Sequence, residues 1–110
     1  MIDGRFSAEV DGTADETRLR MRGDLDSRAD DALGSAYGQV AARSASGLTL
    51  DFTDVGYINS TGIALVVRVL ADARRDGRPV RAVGLTPHYR EIFRITRLSD
   101  FMDIVEGDAA

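Results

Sequence analysis

The chain of 110 residues contains no cysteine, no tryptophan and no lysine, and it has one histidine (His88), one asparagine (Asn59) and two prolines. Without cysteine there is no disulfide framework, no thiolate nucleophile and no zinc–cysteine site. A lone histidine lacks the companions a metal centre needs. His88 follows Pro87 at a helix start and reads as exposed. No apolar run is long enough to span a bilayer. The opening MIDGRFSAEV has neither a basic n-region nor an apolar h-region, so no secretory signal is expected. These absences together fit a cytoplasmic bacterial protein. No Ser-His-Asp set and no phosphate-cradling glycine loop can be recognised. The stretch 11–16, DGTADE, fails the calcium-loop pattern and reads as a turn. The expectation is a protein that is not an enzyme and carries no metal or cofactor.

The positive charge rests on 14 arginines, dispersed among 18 acidic residues for a net charge of −4. That balance lacks the basic footprint of nucleic-acid binding. Apolar residues at 44% and charged residues at 29% are ordinary for a folded domain. The length predicts one domain over 1–110 with a core that needs no staples.

Periodicity predicts the elements. Phe6, Ala8 and Val10 alternate with polar residues, giving a strand over 5–11. Thr17, Leu19 and Met21 alternate with Arg18, Arg20 and Arg22, giving a second strand with one wet face. A longish loop joins these two as an antiparallel hairpin. Asp26 or Ser27 caps a first helix, whose apolar face is Ala29, Ala32, Leu33, Ala36, Tyr37, Val40 and Ala41. Gly34 and Gly38 interrupt that helix, and close packing on a sheet is the preferred reading. Leu48, Leu50 and Phe52 form a third strand. Ile63 to Arg75 reads as a second helix with Ile63, Val66, Val67, Leu70 and Ala73 as its stripe, and Asp76-Gly77 ends it. Residues 79–85 form a buried strand. Thr86-Pro87 opens a third helix, with Tyr89, Ile92 and Phe93 inward. Phe101–Val105 is a last strand, and residues 106–110 read as a frayed tail. The fold class is therefore α/β. An N-terminal antiparallel hairpin is followed by β-α-β-α-β-α-β, making a small mixed sheet with helices packed on it.

One stretch stands out, Tyr57-Ile58-Asn59-Ser60-Thr61-Gly62-Ile63. It lies at the carboxyl edge of a parallel strand, where open α/β sheets bind ligands and partners. With Asn59 as N-cap, Ile58 and Ile63 stand at the two positions of a hydrophobic staple. Ser60 then falls at the first helical position with its hydroxyl unused, and Thr61 follows. Gly62 adds no side chain, leaving room for a partner's backbone. Asp24 and Asp26 are either partners in the same rim or turn and cap residues. Asp51 and Asp54 are either rim acids or loop-stabilising groups.

The chain resembles the STAS family, in particular the stand-alone bacterial anti-sigma factor antagonists. The resemblance rests on GDLD at Gly23–Asp26, LTLDFTDVGYINSTGI at Leu48–Ile63 and PVRAVGLTPHYREIFRITRLSDFMDI at Pro79–Ile104. It implies a STAS-like fold and phosphorylation of Ser60 by a partner kinase. It also implies docking onto an anti-sigma factor that is a serine kinase of the histidine-kinase-like ATPase type, and the place of Asn59, Thr61, Gly62, Asp24, Asp26 and Tyr57 at the sheet edge makes them the expected helix cap and docking rim. A serine phosphatase completes the cycle. Many members carry Asp where this chain has Asn59. As caps the two are equivalent, as charges they are not. The alternative is a scaffold, or a regulatory subunit of a signalling or transport complex, that is not phosphorylated.

Overall fold

A computed structural model describes residues 5–44 and 46–105. The elements run β1 (Ser7–Gly12), β2 (Glu16–Leu25), a 3-10 turn (Ser27–Ala29), α1 (Asp30–Ala41), β3 (Gly47–Ile58), α2 (Ser60–Arg75), β4 (Val80–Val83), α3 (Pro87–Ile95), a second 3-10 turn (Leu98–Asp100) and β5 (Asp103–Ile104). The five strands lie in sequence order in one mixed sheet. β1 is antiparallel to β2, and each later neighbour is parallel. The expected architecture is thus the observed one. The hairpin loop is shorter than the pattern suggested. Thr13 folds back, its hydroxyl accepting from the N–H groups of Asp15 and Glu16, so three residues suffice between β1 and β2.

The alternation read in β2 sorts its side chains as expected. Thr17, Leu19, Met21 and Leu25 are buried, and Arg18, Arg20 and Arg22 face water. On the same inner face β3 adds Leu48, Leu50 and Phe52, and β4 adds Val80 and Ala82. The helices cover this face. Phe93 of α3 meets Phe52 edge-on, ring centroids 5.7 Å apart. Each large side chain buried here is worth roughly 1.5–3 kcal/mol. The outer face is polar. The Arg column of β2 lies between Glu9 and Asp11 of β1 and Asp51 and Asp54 of β3. Arg20 meets Asp11 at 3.1 Å and Arg18 meets Asp51 at 3.7 Å.

Several expectations are corrected. β3 does not end near Phe52 but continues to Ile58. Its twelve residues pair with ten of β2, through one extra residue opposite Arg20–Arg22 and another opposite Gly23–Asp24. Each such bulge bends the strand and resets which side chains face inward, so Val55 is buried out of step with Leu48, Leu50 and Phe52, and the second bulge brings Ile58 back into step with them. On α2 the buried face is Gly62, Leu65, Val66, Val69, Leu70 and Ala73, while Val67 turns outward. Ala41 of α1 is exposed. Gly34 and Gly38 are exposed as well, and a Cβ would meet only the Arg68 side chain at 3.7 Å at Gly34 and nothing within 4 Å at Gly38. Close packing therefore does not explain these glycines. The last strand is only two residues long, and Phe101 precedes it, exposed. The tail read at 106–110 lies outside the described residues.

Candidate functional site

The carboxyl ends of β2 and β3 lie side by side, Asp24 opposite Tyr57 and Leu25 opposite Ile58. From here β2 leads into the 3-10 turn before α1, and β3 leads directly into α2. Asn59 is the single residue between β3 and α2, with an extended backbone. Its N–H donates to the Leu25 carbonyl at 3.3 Å, and its own carbonyl accepts the first helical bond from Ile63 N–H at 2.9 Å. Its side-chain Oδ1 accepts from Gly62 N–H at 2.9 Å. That bond satisfies one of the donors a helix start leaves open. The cap is therefore Asn59, as the staple argument requires.

With the cap supplied by its neighbour, Ser60 is the first residue of α2 and is exposed. Among the described residues its hydroxyl has no hydrogen-bond partner, and neither does that of Thr61, also exposed. Tyr57 presents its ring to solvent at 51% exposure. Gly62 is different. It is buried, and a Cβ there would lie 1.9 Å from the Leu25 carbonyl oxygen and 3.2 Å from Cγ2 of Ile58. The room that this glycine provides is filled by the chain's own backbone, not left open to a partner.

The acids divide by role. Asp26 caps the 3-10 turn, accepting from Arg28 N–H at 3.0 Å, and holds the Arg28 guanidinium by bonds of 3.2 and 2.9 Å. The Arg28 side-chain bonds, then its backbone N–H, keep the Asp26 carboxyl below the usual carboxylate range. Asp24 stands 3.7 Å from the same guanidinium. Arg68 of α2 is bonded to Asp30 at 2.7 Å. The guanidinium groups of Arg28 and Arg68 are thus already engaged by carboxylates of the same chain. Asp51 and Asp54 lie on the outer sheet face. Asp51 accepts from the Thr53 N–H and hydroxyl at 2.9 and 2.6 Å, a strand-stabilising role. Exposed His88 rests its ring against Tyr89. Among the described residues no group of three or more His, Cys, Asp or Glu is placed to hold a metal ion, and no helix is long and apolar enough to cross a membrane.

A family profile described as Mlab, STAS domain, matches residues 8–106. The chain belongs to the STAS family. The anti-sigma-B factor antagonist of Listeria monocytogenes is 35% identical to this STAS domain over 63 residues, 56% of this chain and 55% of that one. The match therefore spans little more than half of the relative's length. Two solved structures share the fold. An anti-sigma factor antagonist from Mycobacterium paratuberculosis superposes with a TM-score of 0.76 at 20% identity, covering 96% of this chain and 90% of the other. The Bacillus cell fate determinant SpoIIAA, in its phosphorylated form, gives 0.60 at 18% identity, covering 91% and 92%.

Two residues of this STAS domain's rim were not anticipated as such. Tyr89, read only as an inward aromatic of α3, accepts through its hydroxyl from Ile58 N–H at 2.9 Å. It thereby fastens the last residue of β3 to α3, immediately before the cap. A buried tyrosine hydroxyl needs a partner, and that need was the available signal. Arg28 had no sequence signal beyond its place two residues after Asp26.

Proposed function

We propose that this STAS domain is a phosphorylation-switched anti-sigma factor antagonist in which Ser60 is the phosphorylated residue. Unphosphorylated, the rim of Asp24, Tyr57, Asn59, Ser60 and Thr61 docks onto an anti-sigma factor, and a sigma factor is released. The anti-sigma factor is also a serine kinase of the histidine-kinase-like ATPase type. It transfers the γ-phosphoryl group of ATP to Ser60 Oγ, which loses its proton as the bond to ADP breaks. A serine phosphatase hydrolyses the ester and resets the switch.

The observation that carries this reading is an exposed, unbonded hydroxyl at the first position of α2 beside a cap that does not need it. A phosphate there adds about −1.5 to −2 charges. The open N–H groups and positive end of α2 tolerate an anion. With Arg28 and Arg68 already engaged, the phosphate changes the docking surface rather than refolding the rim. The names of the Listeria and Mycobacterium relatives, and the phosphorylated state of the SpoIIAA structure, support the same class.

The test is to incubate the protein with its cognate kinase and ATP and to measure intact mass. One added phosphate is expected, lost in Ser60→Ala and retained in Thr61→Ala. A phosphate that persists in Ser60→Ala defeats the site assignment. Asn59, in place of the common Asp, favours a second reading, a scaffold or regulatory subunit that is not phosphorylated. Equal partner affinity for wild type, Ser60→Ala and Ser60→Asp would select it.

A further inference from the structure

Some way from the rim, between the outer side of α2 and the turn at Leu98–Phe101, lies a half-open cleft of about 540 Å³. Along α2, Arg74 is roughly 20 Å from Ser60 at the helical rise per residue. The cleft is lined by Leu70, Val80 and Leu98, and by the exposed side chains of Val67 and Phe101. Its volume falls within the roughly 300–1,000 Å³ of small-molecule sites, which are typically apolar with a few placed polar groups.

One such group is Arg74. Its guanidinium lies over the Phe101 ring, 5.8 Å from the centroid. Among the described residues Arg74 has no carboxylate partner and no side-chain hydrogen bond. The other charged groups nearby are committed. Arg75 pairs with Asp72 and Asp76, Arg78 donates to the carbonyls of Ala41 and Arg43, and Asp100 at the cleft wall is held by Arg97 at 2.7 Å. An apolar hollow with one unneutralised cation, pre-positioned on an aromatic ring, complements a molecule with an apolar body and one negative end. We propose that this cleft binds an amphipathic organic anion, its hydrocarbon part against Leu70, Val80 and Leu98 and its carboxylate on Arg74. This inference is independent of any modification of Ser60.

The experiment titrates decanoate, below its micelle-forming concentration, into the isotope-labelled protein and follows backbone amide shifts. Saturable shifts at Leu70, Val80, Leu98 and Phe101 are expected. Arg74→Gln weakens decanoate about tenfold, the worth of a charge-assisted hydrogen bond, and leaves the binding of 1-decanol unchanged. Ala71→Phe, at an exposed position on the cleft wall, fills the space and abolishes both, with far-UV circular dichroism unchanged. Shifts that do not saturate, or that centre on Tyr57–Gly62, overturn the site. Equal effects of Arg74→Gln on decanoate and decanol overturn the role of the anion. Cleft shifts that follow protein concentration alone show a second copy of the chain on this surface and overturn the ligand. If Ala71→Phe fails to fold, the comparison of decanoate with decanol in Arg74→Gln still decides.

Discussion

The α-carbon of Gly62 lies so close to the Leu25 carbonyl that a β-carbon would stand 1.9 Å from its oxygen. This contact, with the bond from Asn59 N–H to the same oxygen, seats the start of α2 against the end of β2. Gly62→Ala must push the two elements apart. The expected cost is about 2–3 kcal/mol, read as a lower urea midpoint, with shifted amides at Leu25 and Asn59. Wild-type stability in Gly62→Ala would show that the contact is looser than drawn.

Asn59→Ala removes the acceptor for Gly62 N–H and should cost about 1 kcal/mol. Asn59→Asp keeps the cap and adds a charge at the positive end of α2. Its stability should equal wild type or exceed it by about 0.5 kcal/mol at low salt. Urea unfolding of both variants checks the pair.

Tyr89→Phe leaves Ile58 N–H without its acceptor in a half-buried setting. A loss of about 1–2 kcal/mol is expected. Faster hydrogen exchange at Ile58, with α3 otherwise protected, would mark the effect as local.

Gly38 sits in α1 with open space where a β-carbon would go. Gly38→Ala should therefore stabilise the protein by about 0.5–1 kcal/mol, measured as a higher melting temperature. A loss would mean that the position is crowded in solution.

Tyr37 donates to Asp76 Oδ2 at 2.8 Å. Burial first, then the Asp76 bond and charge, push its phenol up to about 12. In the unfolded chain the phenol titrates near 10. Between these values the unfolded chain has lost a proton that the folded one keeps, so stability falls as pH rises through about 10 to 12. Tyr37→Phe should remove this part of the alkaline fall. Parallel curves for the two proteins would refute the assignment.

Where one period held, the sequence was legible. Leu19 and Met21, Leu48 and Leu50, and the cap at Asn59 all stand where spacing and capping chemistry put them. Ser60 was legible as an unused hydroxyl for the same local reason. The misreadings share a cause, in that contacts distant in sequence override local pattern. Val67 looks as apolar as Val66, and only the placement of α2 on the sheet turns it outward while Leu65 and Val69 turn in. Gly62 reads as free space until Leu25 is seen to fill it. Phe101 reads as the first residue of the last strand, but the chain is still in its turn there and pairs only from Asp103.

The unequal count of residues in β3 and β2 decides what Ser60 has for company. Each inserted residue gives the strand a step of three between inward side chains, from Phe52 to Val55 and from Val55 to Ile58. Without the bulge at Gly56, strict alternation from Val55 would send the Tyr57 ring into the interior and strand Ile58 in water. The aromatic neighbour of Ser60, the proposed phosphorylation site, is thus displayed by a miscount in pairing and not by plain alternation along β3.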